Sequence, residues 1–245
     1  MKVVLFCGGY GMRMRCCHGE GLPKPLQPVG DLPLVVHVMS HYASFGHTDF
    51  VLCLGYAADQ VRETVAQVVA RYPRARLWNI DYVDTGLKTP IGERLWRVRH
   101  LIADQPMFLA NYADVFTDAL IDAMVARMNA SPDAAAMMLA VRPQASFHVL
   151  DVRDGDAVAG FHSVSDLPLH ENGGYLVLRQ AVFNHLGRGR DLDDAFNALA
   201  PSGRVLAFKH DGFWMPADTF KERAVLDEMY ESGNAPWARS LAMVS

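Results

Sequence analysis

An apolar run that ends in a cluster of glycines is the feature that most constrains the fold of this chain. Residues 3–6 are all apolar and predict a buried strand, and Gly8, Gly9 and Gly11 follow it at once. Glycines let the backbone approach a ligand closely and adopt positive φ angles, so successive N–H groups can line a concave anion site. The segment therefore predicts a strand that leads into an anion-binding loop.

Two cations accompany this loop. Arg13 comes shortly after the third glycine, and Lys24 stands between Pro23 and Pro25. Fixed positive charges beside backbone N–H groups suit a polyphosphate. We therefore expect nucleotide phosphates to bind at the N-terminal loop.

Strand-like apolar runs alternate with amphipathic segments along the rest of the chain. The predicted strands are residues 3–6, 50–54, 75–80, 106–110, 135–141, 174–178 and 205–209, with a small hairpin formed by 147–152 and 157–161. The predicted helices are residues 34–45, 58–72, 92–101, 120–129, 192–199 and 219–233. This alternation predicts an α/β fold in which a mixed, mostly parallel sheet is flanked by helices.

Composition and charge restrict the class of protein. The chain has 245 residues, of which 51% are hydrophobic, and this suits a single domain over residues 1–245. The formal net charge is −4 and there is no basic run, so we expect binding neither to nucleic acid nor to a membrane surface. No stretch approaches the ~20 apolar residues of a membrane span. The four cysteines match neither a zinc spacing nor a disulfide framework, which favours a cytoplasmic protein.

Two aspartates are candidate metal ligands. Asp114 follows the predicted strand 106–110, and Asp218 precedes the last predicted helix. Carboxylates at the carboxyl edge of an α/β sheet suit Mg²⁺, which prefers oxygen ligands and substrate phosphates. Each aspartate could instead cap a helix, and neither residue alone decides between these roles. Together with the glycine loop and Lys24, they favour a metal and nucleotide site.

Two further segments are candidate ligand contacts. Residues 84–86, with Gly92 and Arg94, could form a loop and helix start that contact a base, or else a plain surface turn. Residues 172–174 could contact a small polar substrate, or else form a hairpin turn.

Seven segments carry a family resemblance. They are Gly8-Gly9-Tyr10-Gly11-Met12-Arg13, Lys24-Pro25, Val83-Asp84-Thr85-Gly86, Pro90-Ile91-Gly92-Glu93-Arg94-Leu95, Tyr112-Ala113-Asp114, Asn172-Gly173-Gly174-Tyr175-Leu176-Val177-Leu178 and the stretch from Gly212 to Thr219. In these segments the chain resembles the sugar-1-phosphate nucleotidyltransferases. Within that family it is most similar to the branch that transfers a cytidylyl group to glucose-1-phosphate.

The resemblance implies a Rossmann-like nucleotide-diphospho-sugar transferase fold, with a nucleotide half over residues 1–115 and an acceptor half over residues 116–245. It implies CTP and a phosphorylated small-molecule acceptor as partners, Mg²⁺ as cofactor, a homo-oligomeric assembly, and Asp114 and Asp218 as metal ligands. The implied catalytic residues are Arg13, Lys24 and Asp114. The implied nucleotide-binding residues are Phe6, Gly8, Gly9, Gly11, Met12, Arg13, Lys24, Thr85, Gly86, Gly92, Arg94, Asn111 and Asp114. The implied acceptor-binding residues are His148, His162, Asn172, Gly173, Trp214 and Asp218.

Some positions depart from the family pattern. Met12 replaces a threonine, so a hydroxyl donor to phosphate is missing. The family's Glu-Lys-Pro motif is replaced by His162-Ser163-Val164, and both of its charges are lost. Either another cation, such as Arg190 or Lys209, meets the acceptor phosphate, or the acceptor is not glucose-1-phosphate.

Three alternatives therefore stay open at this stage. The chain could transfer a cytidylyl group to another sugar phosphate or to a non-sugar phosphate or phosphonate. It could be a catalytically weak nucleotide-sugar binding protein. A dinucleotide oxidoreductase fits less well, because no acidic residue ends a second strand at the expected distance from the glycine loop.

Overall fold

The fold is built around one mixed sheet of seven strands, which a computed structural model describes over residues 1–9, 22–144 and 147–238. In their order across the sheet, the strands are β12 (Val205–His210), β8 (Ala136–Val141), β11 (Glu171–Arg179), β6 (Met107–Asn111), β1 (Lys2–Phe6), β4 (Asp49–Leu54) and β5 (Asn79–Asp84).

Shorter strands and six α-helices complete the described part of the chain. The short strands form three antiparallel pairs, which are β2 (Pro28–Val29) with β3 (Leu32–Pro33), β7 (Val115–Thr117) with β13 (Trp214–Pro216), and β9 (His148–Val152) with β10 (Val158–Ser163). The helices are α1 (Leu34–Ala43), α2 (Ala58–Arg71), α3 (Ile91–Val98), α4 (Ile121–Asn129), α5 (Leu192–Leu199) and α6 (Phe220–Glu231). Within the described ranges, no helix has both the length and the apolar character needed to cross a bilayer.

Strand direction determines which residues meet at one edge of the sheet. β1 is parallel to β4 and β6, β4 to β5, and β8 to β12, whereas β11 is antiparallel to both of its neighbours. Tyr175 of β11 pairs with Asn111, the last residue of β6. The start of β11 therefore lies beside the carboxyl ends of β1 and β6.

The core forms two layers because side chains alternate across the strands. In β1, Val3 and Leu5 face the layer that α1, α2, α4 and α6 cover, whereas Val4 and Phe6 face the layer under α3 and α5. All four side chains are buried. Continuous apolar runs such as that of β1 are expected where both faces of a strand are covered.

The predicted α/β class and mostly parallel sheet are confirmed, and most predicted elements are present with small shifts at their ends. The prediction of a strand over residues 75–80 is wrong, because Ala75–Leu77 forms a 3₁₀ turn and the strand is Asn79–Asp84. This strand lies at the edge of the sheet and is only partly covered. Its polar residues alternate with apolar ones, so it lacks the continuous apolar run on which the prediction depended.

The alternative of a hairpin turn at residues 172–174 is also wrong. These residues lie inside β11, which begins at Glu171 rather than at residue 174. The pairing of β11 with β8 shifts register between Asn172 and Leu176, and Gly174 has a φ of +79°. An irregular strand with a glycine at positive φ looks like a turn in the sequence, since turns and bulges use the same residues.

Trp237 stacks against the pair β7–β13 from outside the sheet. Its side chain is 1% exposed, and its ring lies 5.1 Å from the rings of both Phe116, in β7, and Phe213, just before β13. The C-terminal segment therefore stabilises the short ribbon that β7 and β13 form.

We predict that Trp237→Ala lowers the free energy of unfolding by about 3–5 kcal/mol, because a fully buried aromatic side chain is removed from the core. Urea denaturation measures the difference. Leu77→Ala is the matched control, since Leu77 is 74% exposed and its truncation should leave stability unchanged. Equal stability of the Trp237 and Leu77 variants would contradict the prediction.

Candidate active site

A cleft of about 660 Å³ opens at the carboxyl edge of β1 and β6. Its walls come from the ends of these strands, the start of β11, the loop between β5 and α3, and the segment around β13. The described residues that line it are Phe6, Gly8, Gly9, Leu87, Thr89, Pro90, Ile91, Arg94, Tyr112, Asp114, Val115, Glu171, Asn172, Asp191, Trp214, Pro216 and Asp218.

Two carboxylates line this cleft, and the Lys24 ammonium bridges them. The Lys24 ammonium donates a hydrogen bond to Asp114 Oδ2 at 2.6 Å and another to Asp218 Oδ1. Lys24 is 14% exposed, and the two aspartates are 25% and 34% exposed. Three segments that are far apart in sequence therefore meet in one partly buried charge cluster, which we call the Lys24 cluster.

The ribbon β7–β13 brings the two aspartates together. Val115 of β7 pairs with Pro216 of β13, and the backbone N–H of Ala217 donates to the Asp114 carbonyl at 2.8 Å. Asp114 comes immediately before β7, and Asp218 follows β13 by two residues. Their proximity is thus a direct result of backbone pairing.

The turn before Asp114 has a backbone conformation that is unusual for its residue type. Ala113 has a φ of +65°, in the left-handed region that favours glycine. The Asn111 side chain stabilises this turn, because its Oδ1 accepts a hydrogen bond of 2.6 Å from the Ala113 N–H. Asn111 is fully buried at the end of β6, below the cleft. From there its side chain fixes the loop that carries Asp114.

The charges of the Lys24 cluster are strongly coupled. Burial alone would lower the pKa of Lys24, but the attraction and hydrogen bonds of the two carboxylates outweigh it, and the pKa is raised. Burial raises the pKa of Asp114; Lys24 opposes this, and the charge of Asp218 adds to it. The ammonium therefore stays protonated, and the paired carboxylates gain from any additional cation.

Two adjacent carboxylates of the described cleft, Asp114 and Asp218, could hold a divalent cation. Mg²⁺ commonly takes one or two carboxylates and completes its coordination with water and substrate phosphates. No group of three or more potential His, Cys, Asp or Glu ligands occurs within the ranges the structure describes. Asp114 and Asp218 each accept a hydrogen bond from Lys24, and carboxylate oxygens are also the ligands that Mg²⁺ prefers.

The two described glycines of the N-terminal loop differ in their surroundings. A Cβ added at Gly9 would meet no atom within 4 Å, so Gly9 is open toward the cleft. A Cβ added at Gly8 would lie 2.0 Å from Arg94 Nη1. Internal packing therefore requires a glycine at position 8. Gly8 also lines the cleft, and its expected contact with the nucleotide stays a prediction. Gly11, Met12 and Arg13 lie outside the described residues.

The loop between β5 and α3 forms the opposite wall. Thr85 is buried and its hydroxyl donates to the Leu54 carbonyl at 2.7 Å. Gly86 has a φ of +87°, which the turn requires. Gly92 packs closely against the backbone of Asp191, where a Cβ would meet the Asp191 carbonyl carbon at 2.4 Å.

The predicted acceptor residues divide into two groups. Asn172 and Trp214 line the cleft, and Gly173 connects them, because its carbonyl accepts a hydrogen bond of 2.8 Å from Trp214 Nε1–H. The Asn172 amide also donates to the Tyr112 hydroxyl at 3.2 Å. These contacts fix the start of β11 beside the Lys24 cluster.

His148 and His162 are not brought to the described cleft. Both lie on the exposed hairpin β9–β10, where the His148 ring stacks on Phe161 at 4.6 Å. Arg190 and Lys209, the suggested replacements for the missing cation, are exposed and do not line the described cleft either.

Sequence reasoning missed several residues of the cleft wall. Tyr112, Glu171 and Asp191 line it, as does Pro216. Tyr112 and Pro216 belong to two of the segments that carry the family resemblance, and Glu171 directly precedes a third. Their place in or beside these segments is the signal that could have identified them. Asp191 carried no such signal, because it caps α5 and reaches the cleft only through the packing of α5 against α3.

Comparisons with known proteins give a consistent result, although no family model matches the chain. Glucose-1-phosphate cytidylyltransferase of Salmonella typhimurium is 30% identical over 261 residues, which cover 97% of this chain and 98% of that protein. Mannose-1-phosphate guanyltransferase of Aspergillus oryzae is 23% identical over 251 residues, which cover 99% of this chain and 65% of that protein. The solved structure of UDP-glucose pyrophosphorylase complexed with UDP-glucose superimposes with a TM-score of 0.72 at 14% identity, and the match covers 95% of this chain and 98% of that one.

We predict that Lys24→Met lowers the free energy of unfolding by about 2 kcal/mol at pH 7, because two neighbouring carboxylates lose their shared counter-ion. The loss should shrink toward pH 4, where protonation removes their repulsion. Chemical denaturation at both pH values measures it, and Lys221→Met on the exposed surface is the control. Equal unfolding free energies for the two variants at pH 7 would show that the cluster does not stabilise the fold.

Proposed function

Since the chain belongs to the sugar-1-phosphate nucleotidyltransferase family, we propose that it transfers the cytidylyl group of CTP to a phosphorylated acceptor. The products are a CDP-linked compound and pyrophosphate. The observation that carries the proposal is the Lys24 cluster, in which Asp114 and Asp218 line the cleft together with Gly9 and the Lys24 ammonium bridges the two carboxylates. The 30% identity to a cytidylyltransferase over nearly the whole chain supports CTP as the nucleotide.

The chemistry requires no nucleophile from the protein. An oxygen of the acceptor phosphate attacks the α-phosphorus of CTP in line, and the bond to the leaving pyrophosphate breaks. The attacking phosphate is an anion at neutral pH, so the main obstacle is repulsion between two anions. Catalysis then consists of positioning the two substrates and neutralising their charges.

We propose that Asp114 and Asp218 hold Mg²⁺. When bound, Mg²⁺ supplies positive charge to the reacting phosphates and reduces their repulsion. Lys24 contributes a second positive charge at the same place, and its raised pKa keeps it protonated at neutral pH. Arg13, assigned by family resemblance, would stabilise charge on the pyrophosphate.

The acceptor side of the cleft favours a substrate other than glucose-1-phosphate as a second candidate. The family's Glu-Lys charges are replaced by His162 and Ser163, on a hairpin that lies away from the described cleft. The described part of the acceptor wall offers a carboxylate at Glu171 and an amide at Asn172, and the Asp191 carboxylate lines the cleft beside Gly92. These groups suit hydroxyl or ammonium groups on a phosphate or phosphonate acceptor.

A matrix of nucleoside triphosphates against phosphorylated acceptors, with Mg²⁺ present, tests the proposal. Pyrophosphate release is the readout. We expect pyrophosphate release to be strongest with CTP. The acceptor that gives the most release identifies the second substrate. Nucleotide binding by calorimetry without release for any acceptor would contradict an enzymatic role and favour a binding protein.

We predict that Asp114→Asn lowers kcat by about 10²-fold or more while leaving the fold intact, because a ligand of the metal and a charge of the site are lost together. Pyrophosphate release measures activity and circular dichroism measures the fold. Asp59→Asn is the matched control, because the Asp59 side chain is 86% exposed on α2. Wild-type activity of the Asp114 variant at limiting Mg²⁺ would refute the metal assignment.

A further inference from the structure

We infer that Arg94 is a positioning residue for nucleotide binding. By holding the Gly8 carbonyl, its guanidinium directs the Gly9 N–H toward the ligand. The inference rests on the proposed nucleotide site and adds a role that the motif did not suggest. The sequence placed Arg94 near the base, as a ligand contact, whereas the hydrogen bonds of its side chain point to an internal function.

Every donor of the Arg94 guanidinium is used inside the protein. A guanidinium has five N–H donors, and Arg94 is 4% exposed. The acceptors, at 2.7 to 3.2 Å, are the Thr89 carbonyl for Nε, the Leu54 carbonyl and the Thr85 hydroxyl for Nη1, and the Gly8 and Leu87 carbonyls for Nη2. Arg94 therefore has no donor left for a phosphate or a base.

These acceptors belong to three separate segments, of which the glycine loop and the loop between β5 and α3 line the cleft. Gly8 follows β1, Leu54 ends β4, and residues 85–89 form the loop between β5 and α3. A single rigid group thus fixes the distance between the glycine loop and the opposite wall. The planar fork of an arginine suits this role, because its five donors have fixed directions.

The geometry of the peptide bond transmits this constraint to the ligand side. In a trans peptide, the carbonyl of one residue and the N–H of the next point in opposite directions. The Gly8 carbonyl accepts hydrogen bonds from Arg94 Nη2 at 3.2 Å and from the Tyr56 N–H at 3.3 Å. The Gly9 N–H therefore points away from Arg94, and Gly9 itself lines the open cleft.

The guanidinium also occupies the space that a side chain at Gly8 would need. A Cβ at Gly8 would lie 2.0 Å from Arg94 Nη1, 2.5 Å from Cζ and 2.9 Å from Nη2. A Cβ at Gly55 would lie 3.0 Å from Nη1. Arg94 therefore requires a glycine at position 8, because its guanidinium fills the space that a side chain there would need.

A double-mutant cycle tests the inference through binding of CTP, measured by calorimetry without acceptor. Arg94→Gln keeps the stem of the side chain and a donor near Thr89, but it removes the atoms that collide with a Cβ at Gly8. We expect Gly8→Ala and Arg94→Gln each to weaken CTP binding at least about tenfold, as loss of a charge-assisted hydrogen bond would. The double variant should bind within about twofold of Arg94→Gln alone, because the added methyl then has room.

Gly9→Ala is the matched control, because nothing lies within 4 Å of its Cβ position and its methyl would face the ligand. Its effect should be the same in the wild-type and Arg94→Gln backgrounds. In turnover assays, Gly8→Ala should raise KM for CTP while leaving KM for the acceptor unchanged. An additive cycle for Gly8→Ala would overturn the inference and show that Gly8 serves ligand approach directly.

Two additions keep the result decisive. Thermal melting establishes that each variant folds, and if Arg94→Gln does not fold, the more flexible Arg94→Lys replaces it as the background for the cycle.

Inorganic triphosphate is used as a second ligand, because it reports the anion site without a base. A coupled cycle with triphosphate but no turnover of CTP would support the role of Arg94 and refute the cytidylyl transfer. Turnover of CTP together with an additive cycle would support the cytidylyl transfer and refute the role of Arg94.

Discussion

The pairing of Lys24 with Asp114 and Asp218 is the constraint on which the rest of the site depends. Two carboxylates that are partly withdrawn from water repel each other unless a cation stands between them. The ribbon β7–β13 forces the carboxylates together through backbone hydrogen bonds, and Lys24 supplies the cation. The fold therefore maintains two carboxylates against one ammonium, and the net negative charge that remains is one that an additional cation would offset.

Arg94 provides a second, independent constraint on the opposite side of the glycine loop. The two carboxylates of the Lys24 cluster line the cleft, whereas every donor of Arg94 is used within the protein. Lys24 therefore acts on the charge of the cleft through Asp114 and Asp218, and Arg94 holds the surrounding loops in place. Sequence motifs cannot separate these two kinds of positive residue, because both belong to segments that carry the family resemblance.

Much of the fold followed from periodicity, since β1, β4, β6 and β8 are continuous apolar runs and α5 has clear amphipathic spacing. The edge strand β5 was misplaced because its exposed face interrupts the apolar run. The ribbon β7–β13 was not predicted at all, although it creates the site, because three-residue strands are defined by their partner rather than by composition. The strained backbone of Ala113 was equally hidden, because alanine gives no sign of a positive φ.

Under the proposed function, the reversed direction of β11 explains how one edge of the sheet can serve two substrates. Because β11 is antiparallel to β6, its first residues lie beside the loop that carries Asp114, and Asn172 bonds to Tyr112. The proposed nucleotide wall consists of loops that Arg94 ties to β1 and β4, whereas the proposed acceptor wall consists of the start of β11 and the segment around Trp214. Among the described residues, the Lys24 cluster lies where the two walls meet, so residues of the acceptor wall can change while Gly8, Gly9 and their supporting contacts are retained. Under the proposed function, this separation accounts for a chain that keeps the nucleotide motifs of its family and departs from them at the acceptor.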